Sequence, residues 1–241
     1  MIKIRVKFRK WGHMKFVGHL DMLRYFQKAV RRANIDICYS NGFAPHQIMS
    51  FAAPLGVGIT SDGEYFDIEV NSTKSTKESL KAFNEAMVDG IEVTGYVQLP
   101  DNAKPAMSIV TAADYILSYK DGFENPYSLE EWKEKIQTIF HNQAQFTITK
   151  KTKKSEREID LKPFVYAFDV VEQDNHPAFY ICISTGSVTN IKPELLLSSV
   201  YEKLGLIYEE SAIAIHRKDV YTTDETTKKH ISLLEMGTVL D

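Results

Sequence analysis

The chain has 241 residues, of which 44% are hydrophobic and 25% are charged, so it can bury the core of one large domain or two small ones. No apolar run approaches the roughly 20 residues that a membrane span needs, and the first residues alternate as a strand does, so we expect no signal peptide and a cytoplasmic location. The two cysteines, Cys38 and Cys182, are typical of a reduced protein and are too few for an iron–sulfur cluster or a cysteine-rich zinc site.

The predicted elements begin with a strand over residues 2–9. Ile2, Ile4, Val6 and Phe8 fall on one face, and Lys3, Arg5, Lys7 and Arg9 fall on the other. Because side chains alternate along a strand, this pattern predicts a half-buried strand with an outward basic row. After a turn at residues 10–13, a helix is predicted over 19–33, with an apolar stripe of Leu23, Phe26, Val30 and Ala33.

Two strands, 48–55 and 64–70, follow a loop at residues 40–46. A helix capped by Thr76 is then predicted to run to about 87, and another strand is predicted over 91–99. The order β-α-β-β-α-β predicts a ferredoxin-like unit, with an antiparallel sheet and both helices on one sheet face. Residues 100–105 read as a linker.

A second α+β series follows the linker. Strands are predicted over 110–119, 146–150, 164–171, 179–184 and 212–216. Helices are predicted from a cap at Ser128 to about 140 and over 193–204. The fold class expected is α+β with two ferredoxin-like units. The predicted domains are a basic unit over 1–100, a second unit over 106–221 and a polar tail over 222–241, part of which, 231–234, has the apolar character to dock.

Positive charge is concentrated at the start of the chain. Residues 1–50 contain ten Lys or Arg and two acidic residues, a net charge of +8, whereas the remaining residues sum to −11. Such asymmetry favours a surface that faces a polyanion, although basic residues that merely solvate one face are the alternative.

Two basic rows are candidates for phosphate contacts. One is the strand row with Arg5 and Arg9, and the other is a row on the first helix with Arg24, Lys28 and Arg31, next to Arg32. Helix periodicity places this second row about 150° from the apolar stripe, so the two rows face opposite sides of one unit. Either the second unit covers the sheet face that carries the strand row, or only one row binds the ligand. A dense basic segment at 150–157 reads as a solvated loop or an auxiliary phosphate contact.

A polar set flanks the first helix and the loop after it. His19 and Asp21 lie at the helix start, and Ser40 and His46 lie in the loop. The set is compatible with helix capping, an anion clasp, an acid–base pair or a metal site. The spacing of His19 and Asp21 does not favour metal binding, because residues two apart on a helix face away from each other.

The motif string resembles the radical-SAM-linked protein family, a bacterial domain of unknown function, in its stand-alone form. The resemblance is carried by residues 19–24 (HLDMLR), 31–33 (RRA), 39–46 (YSNGFAPH) and 63–65 (GEY), with 158–163 and 215–217 as further matches. Gly18, Ala44 and Gln47 depart from the Ser, Asn and Pro that the family usually has. The chain lacks the cysteine motif of a radical-SAM enzyme, so the resemblance implies a separately encoded radical-SAM partner.

The leading hypothesis is an accessory module that binds tRNA or rRNA and acts with that partner in RNA modification, without cofactor, metal or membrane. Its RNA-binding residues are expected to be Arg5, Arg9, Arg24, Lys28, Arg31, Arg32, Ser40, Phe43 and His46. Two alternatives remain open. One is an enzyme that acts on RNA or nucleotides through His19, Asp21 and His46, and the other is a protein-docking domain that does not bind RNA.

Overall fold

The computed structural model describes residues 1–151, 156–187 and 189–241. The fold class is α+β, and the strands pair mostly antiparallel. Contacts divide the chain into two compact units: the first contains Met1–Ala112 and Arg217–Asp241 with a short segment at Gly186, and the second contains Ala113–Thr185 and Thr189–His216. In the part of the chain that the structure describes, no helix has both the length and the apolar character that a membrane crossing requires.

This division differs from the predicted one. The first unit extends to Ala112 rather than ending before a linker at 100–105, and the chain returns to it at Arg217. The predicted tail over 222–241 is therefore a part of the first unit. Long-range contacts of this kind are absent from local sequence patterns, which explains the difference.

The first unit begins with the predicted β-α-β-β-α-β succession. Its elements are β1 (Ile2–Lys10), α1 (His19–Arg32), β2 (Met49–Phe51), β3 (Thr60–Val70), α2 (Thr76–Glu85) and β4 (Ile91–Gln98), followed by a short helix α3 (Ala106–Ile109). The strands lie in the order β4-β1-β3, and β2 pairs with β3 as well. β2 is shorter than the predicted 48–55, since Pro54 has no backbone N–H to continue the ladder.

The core of the first unit lies between this sheet and its helices. Ile4, Val6 and Phe8 of β1 pack in one cluster with Phe26 of α1 and Phe83 of α2. Both helices therefore pack on the same face of β1, as predicted. α2 begins at Thr76 itself, so the N-cap lies one residue earlier than proposed: it is Ser75, which forms a capping box with Glu78.

The second unit carries the remaining long elements. They are β5 (Ala112–Tyr119), α4 (Leu129–Ile136), β6 (Thr147–Lys151), β7 (Glu156–Asp160), β8 (Val165–Gln173), β9 (His176–Ser184), α5 (Pro193–Lys203) and β10 (Ile213–Thr223). The main strands lie in the order β10-β5-β9-β8, and β6 and β7 form a separate antiparallel pair. The capping role predicted for Ser128 is confirmed, because it forms a capping box with Glu131.

Part of the basic segment at 150–157 lies outside the described residues. Its backbone belongs to β6 and β7 at either end, but residues 152–155 are not described. Its predicted role as a loop or phosphate contact stays a prediction.

β10 is much longer than the predicted strand over 212–216. From Arg217 onward it belongs to the first unit, where it lies beside β3. β11 (His230–Ser232) then pairs with β10, a short 3-10 helix spans Leu233–Met236, and Thr238 exchanges two backbone hydrogen bonds with Gln98. We call residues 230–241 the C-terminal segment; its docking through 231–234 agrees with the apolar character noted there.

Candidate nucleic-acid interface

The strand row of cations on β1 is occupied by partners within the first unit. Lys3 donates to the Asp101 carbonyl at 2.6 Å, and Lys7 pairs with Asp219 at 2.7 Å. Arg9 is exposed but pairs with both Asp62 and Glu92, at 2.7 and 3.3 Å. Each of these positive charges is therefore matched by a carboxylate or carbonyl of the same unit.

Arg5 is the clearest departure from the predicted outward row. Its side chain is fully buried and donates two hydrogen bonds to Asp67, from Nε at 2.8 Å and from Nη2 at 3.0 Å. Nη1 donates to the Leu233 carbonyl at 3.2 Å. A buried guanidinium cannot contact a phosphate in solution, so Arg5 does not belong to the candidate interface.

The C-terminal segment is what covers this face of β1. Leu233 is completely buried, and Leu234 lies so close to Gly95 of β4 that a Cβ there would approach it to 2.7 Å. Alternation along β1 gave the face of each side chain correctly but said nothing about what lies over that face. The second unit was the possible cover expected from the sequence, but the structure places the C-terminal segment of the first unit over Arg5.

The basic row of α1 is on the surface as predicted. Arg24, Lys28, Arg31 and Arg32 are all exposed, while Met22, Phe26, Ala29 and Val30 are buried on the opposite side. Arg24 forms an exposed pair with Asp21 at 3.1 Å. Arg32 donates to the Ala86 carbonyl at 2.9 Å and stacks on Tyr25, so part of its role is to hold α1 against the end of α2. Among the described residues, Lys28, Arg31 and Arg32 form no ion pair, and of these three only Arg32 has a side-chain hydrogen bond.

The loop after α1 projects beside this row. Backbone and side-chain bonds close it: the Ser40 amide donates to the His46 carbonyl at 2.8 Å, and the His46 amide donates to Ser40 Oγ at 3.1 Å. Gln47 Nε2 donates to the Gln27 carbonyl at 3.1 Å, which fastens the base of the loop to α1. Phe43 lies at the exposed tip, with its ring in solvent.

Ser40 and His46 also interact through their side chains. Ser40 Oγ and His46 Nδ1 are 2.8 Å apart. In the tautomer with a proton on Nε2, Nδ1 accepts the serine hydroxyl hydrogen, and Nε2–H is left as an outward donor. The pair thus holds the loop closed and, in this tautomer, leaves one hydrogen-bond donor on the exposed His46 ring.

His19 and Asp21 take partners other than His46. The His19 ring packs edge-on against Phe51 with centroids 5.4 Å apart, and Asp21 pairs with Arg24. The loop meets α1 at Gln27, eight residues beyond His19, which is about 12 Å along a helix. Among the described residues, no group of three or more His, Cys, Asp or Glu side chains is arranged to hold a metal ion.

A buried charged cluster lies close to the start of α1. Arg217 donates to both carboxylate oxygens of Glu64, at 2.5 Å each from Nη2, and to the Ala53 carbonyl at 2.6 Å. Lys10 is 3% exposed and donates to the Val17 carbonyl at 2.8 Å. Burial lowers the pKa of the Lys10 ammonium; Glu64 opposes that effect and Arg217 adds to it.

A second buried cluster surrounds Asp219. Its carboxylate accepts hydrogen bonds from Tyr65 at 2.7 Å and Ser232 at 3.3 Å, besides the ion pair with Lys7. Gly63 makes this approach possible, because a Cβ there would lie 2.4 Å from the Asp219 carboxylate. Burial, together with the Asp219 charge, raises the pKa of Tyr65.

The model of a bacterial family described as an uncharacterized protein conserved in bacteria (DUF2344) matches residues 3–193. The chain belongs to this family. No curated protein matches it. The matched range contains β1, α1 and the whole 40–46 loop, but it ends before Arg217 and the C-terminal segment.

The residues that carried the resemblance divide into two groups in this family member. Glu64, Tyr65 and Arg217 are buried in the charged clusters and hold β3 to β10, whereas Ser40, Phe43 and His46 form the exposed loop. Sequence reasoning found the residues of both groups by motif. It missed the hydrogen bonds and ion pairs that these residues form in the structure. One available signal was the pair of acidic residues Glu64 and Asp67 on a strand next to the basic β1.

Proposed function

We propose that this chain is an RNA-binding accessory protein that acts with a separately encoded radical-SAM enzyme in RNA modification. The observation that carries the proposal is the exposed basic row of α1 beside a rigidly closed loop whose tip is the fully exposed Phe43. RNA in single strands and loops is recognised by this combination, with cations on phosphates and aromatic rings on unstacked bases.

Lys28 and Arg31 are the phosphate contacts in this proposal, and Arg24 extends the row by one turn. The three lie at a spacing of four and then three residues, so they share one face of α1. The row is shorter than composition suggested, because the five cations of β1 have partners inside the first unit. The expected footprint is therefore a few phosphates.

The loop supplies the base contacts. An aromatic ring that is held out in water costs free energy, and a base stacked on Phe43 would remove that cost. His46 Nε2–H, oriented by Ser40, is the adjacent donor for a base edge or a phosphate oxygen. Gln47 keeps this loop next to the basic row, so one strand of RNA can contact both.

The radical-SAM partner is inferred from the motif resemblance. This chain has two cysteines, Cys38 and Cys182, and both are buried as free thiols. The iron–sulfur cluster of the proposed system would be held by the radical-SAM enzyme. Mixing the chain with that enzyme, with and without RNA, tests this part: a complex that forms equally well without RNA would favour the docking alternative.

Fluorescence anisotropy with a labelled structured RNA tests RNA binding itself. The variant K28Q/R31Q is expected to bind about tenfold more weakly at low salt, and the slope of log affinity against log salt should fall by about 1.4, since about 0.7 is lost per phosphate contact in single strands. The variant F43L should weaken binding at every salt concentration without changing the slope, because stacking is not electrostatic.

The matched control is K77Q/K81Q on α2, which removes two exposed lysines from another helix of the same unit. It should leave affinity and slope nearly unchanged. Two results would overturn the proposal. One is wild-type protein that binds no structured RNA at about 50 mM salt. The other is the same affinity and the same salt slope for K28Q/R31Q and K77Q/K81Q.

We also propose that each unit is ferredoxin-like in detail. If the strands of each unit are numbered 1 to 4 in chain order, both units have the spatial order 4-1-3-2. In the first unit this order is β4-β1-β3-β2, and in the second it is β10-β5-β9-β8. Each series also has one helix after its first strand and one after its third. The β6–β7 pair would then be an insertion between α4 and β8.

A further inference from the structure

The second unit contains a cavity of about 250 Å³ whose lining includes four aromatic side chains. Its rings come from β5, from the turn after β5, from α5 and from the segment after α5, namely Tyr119, Phe123, Tyr201 and Tyr208. The proposed RNA interface uses none of these residues, because they belong to the other unit.

These rings are held in place by contacts outside the cavity. Tyr201 packs on Trp132 with centroids 5.4 Å apart, and Trp132 Nε1 donates to Asn125 at 2.5 Å. The Tyr119 and Tyr201 hydroxyls are hydrogen bonded to each other, and Tyr208 meets Tyr201 edge-on at 5.5 Å. The walls are therefore formed before any ligand arrives, which lowers the entropic cost of binding.

Negative charge surrounds the cavity. Glu124 and Glu209 line it, and no Lys or Arg is among its described lining residues. Burial raises the pKa of Tyr208, and the charges of Glu194 and Glu210 raise it further. The nearby cation Lys120 is directed to the Ser211 carbonyl at 2.7 Å.

Two polar atoms near the cavity lack partners. The Tyr208 hydroxyl and Glu194 Oε2 are buried with no hydrogen-bond partner among the described residues. Buried polar atoms are nearly always hydrogen bonded in proteins, so an unpaired carboxylate oxygen and hydroxyl indicate that a donor is missing. A ligand that carries an N–H or O–H donor would supply it.

We propose that this cavity binds a small organic ammonium ion, such as a polyamine or a quaternary amine. Aromatic faces attract cations through their quadrupole, and carboxylates at the rim add the opposite charge. The volume is close to the lower end of the range for small-molecule sites, which suits a compact head group rather than a large ligand.

Trp132 gives a direct readout because it packs against the Tyr201 wall. In a W11F background it is the one remaining tryptophan, and its fluorescence can be titrated with choline, spermidine and 3,3-dimethylbutanol. The last is the uncharged isostere of choline. Choline or spermidine should change the fluorescence saturably at millimolar concentrations or below, and the alcohol should not.

Substitutions locate the site. F123L removes a partly exposed ring, and E124Q and E209Q remove one charge each; each should weaken ammonium binding, by about three- to thirtyfold for the ring. F16L and E172Q are matched controls elsewhere on the surface and should have no effect. Equal binding of the alcohol, or the absence of any saturable change with both amines, would overturn the proposal.

Discussion

Three charged side chains of the first unit, Glu64, Arg217 and Lys10, are buried close together. Glu64 and Arg217 are 4% and 3% exposed, and the ammonium of Lys10 lies close enough to both for their charges to act on it. Burying one carboxylate with two cations costs desolvation free energy, which the hydrogen bonds of Arg217 to Glu64 and Ala53 offset. The cluster therefore stabilises the fold only while all of its members are present.

We predict that E64Q is strongly destabilising. The substitution leaves Lys10 and Arg217 buried without their carboxylate, and breaking a buried pair in this way costs about 3–5 kcal/mol. Urea denaturation followed by circular dichroism measures the change as a lower midpoint for the transition that includes the first unit.

E92Q is the control, because Glu92 forms an exposed pair with Arg9, in which both side chains are nearly half exposed. Surface pairs contribute about 0–1 kcal/mol, so its midpoint should barely move. Equal midpoints for E64Q and E92Q would show that the buried cluster does not have the energetic role that its geometry indicates.

Among the secondary-structure elements, the C-terminal segment has the most consequences for function. It pairs with β10, covers Arg5 and reaches α2, where the Leu240 carbonyl accepts a hydrogen bond from the Thr76 amide at 2.9 Å. By occupying the open face of β1, it leaves α1 and the 40–46 loop as the basic surface of this unit. The RNA contacts that we propose are therefore placed on a helix and its loop, not on the sheet.

We predict that L233A destabilises the first unit by about 2–5 kcal/mol, because Leu233 is completely buried and its truncation leaves a cavity over β1. V239A is the matched control in the same segment, since Val239 is 63% exposed. Thermal unfolding should show a clear loss for L233A alone. If both variants melt at the wild-type temperature, the segment does not dock as described.

Local patterns were sufficient for most elements. The helix periodicity of Phe26 and Val30 predicted α1 within one residue of its end, and the serine before Leu129 predicted the start of α4. Both signals depend on neighbours in sequence. Capping of α2 was misassigned by one residue because Ser75 and Thr76 are adjacent residues that can both cap, and only the bond to Glu78 distinguishes them.

Features that depend on distant residues were predicted less well. Arg5 was expected at the surface because alternation cannot show that Asp67 and the C-terminal segment enclose it. The length of β10 was missed for a similar reason: residues 217–223 are mostly polar, and the burial of Arg217 and Asp219 there depends on distant partners such as Glu64 and Tyr65. In the candidate site, the exposed row of α1 followed from periodicity, whereas the Gln47–Gln27 bond that fastens the loop did not.

For the chain as a whole, buried tyrosines link stability to pH. Burial raises the pKa of six tyrosines, distributed over both units: Tyr65, Tyr96, Tyr119, Tyr180, Tyr201 and Tyr208. A phenol whose pKa is higher in the folded state contributes stability that is present below the unfolded pKa of 10 and is lost as pH rises above it. Lys10 acts in the opposite direction, since its lowered pKa makes the folded state bind fewer protons, but it is a single group.

We therefore predict cooperative alkaline unfolding between about pH 10 and pH 12. Each tyrosine that stays protonated in the folded state costs up to about 1.4 kcal/mol per pH unit above 10, so six cost up to about 8 kcal/mol per unit, comparable to the whole stability of a domain. Absorbance of tyrosinate and far-ultraviolet circular dichroism, recorded together, measure the two processes. Exposed tyrosines should ionise first, and the buried ones should ionise in step with the loss of circular dichroism.

Y65F should reduce the number of tyrosines that ionise in the second phase by one, and Y39F, which removes a half-exposed ring hydroxyl, should not. Ionisation of all twelve tyrosines near pH 10 with unchanged circular dichroism would contradict the prediction, because it would mean that burial does not hold these phenols in their neutral form.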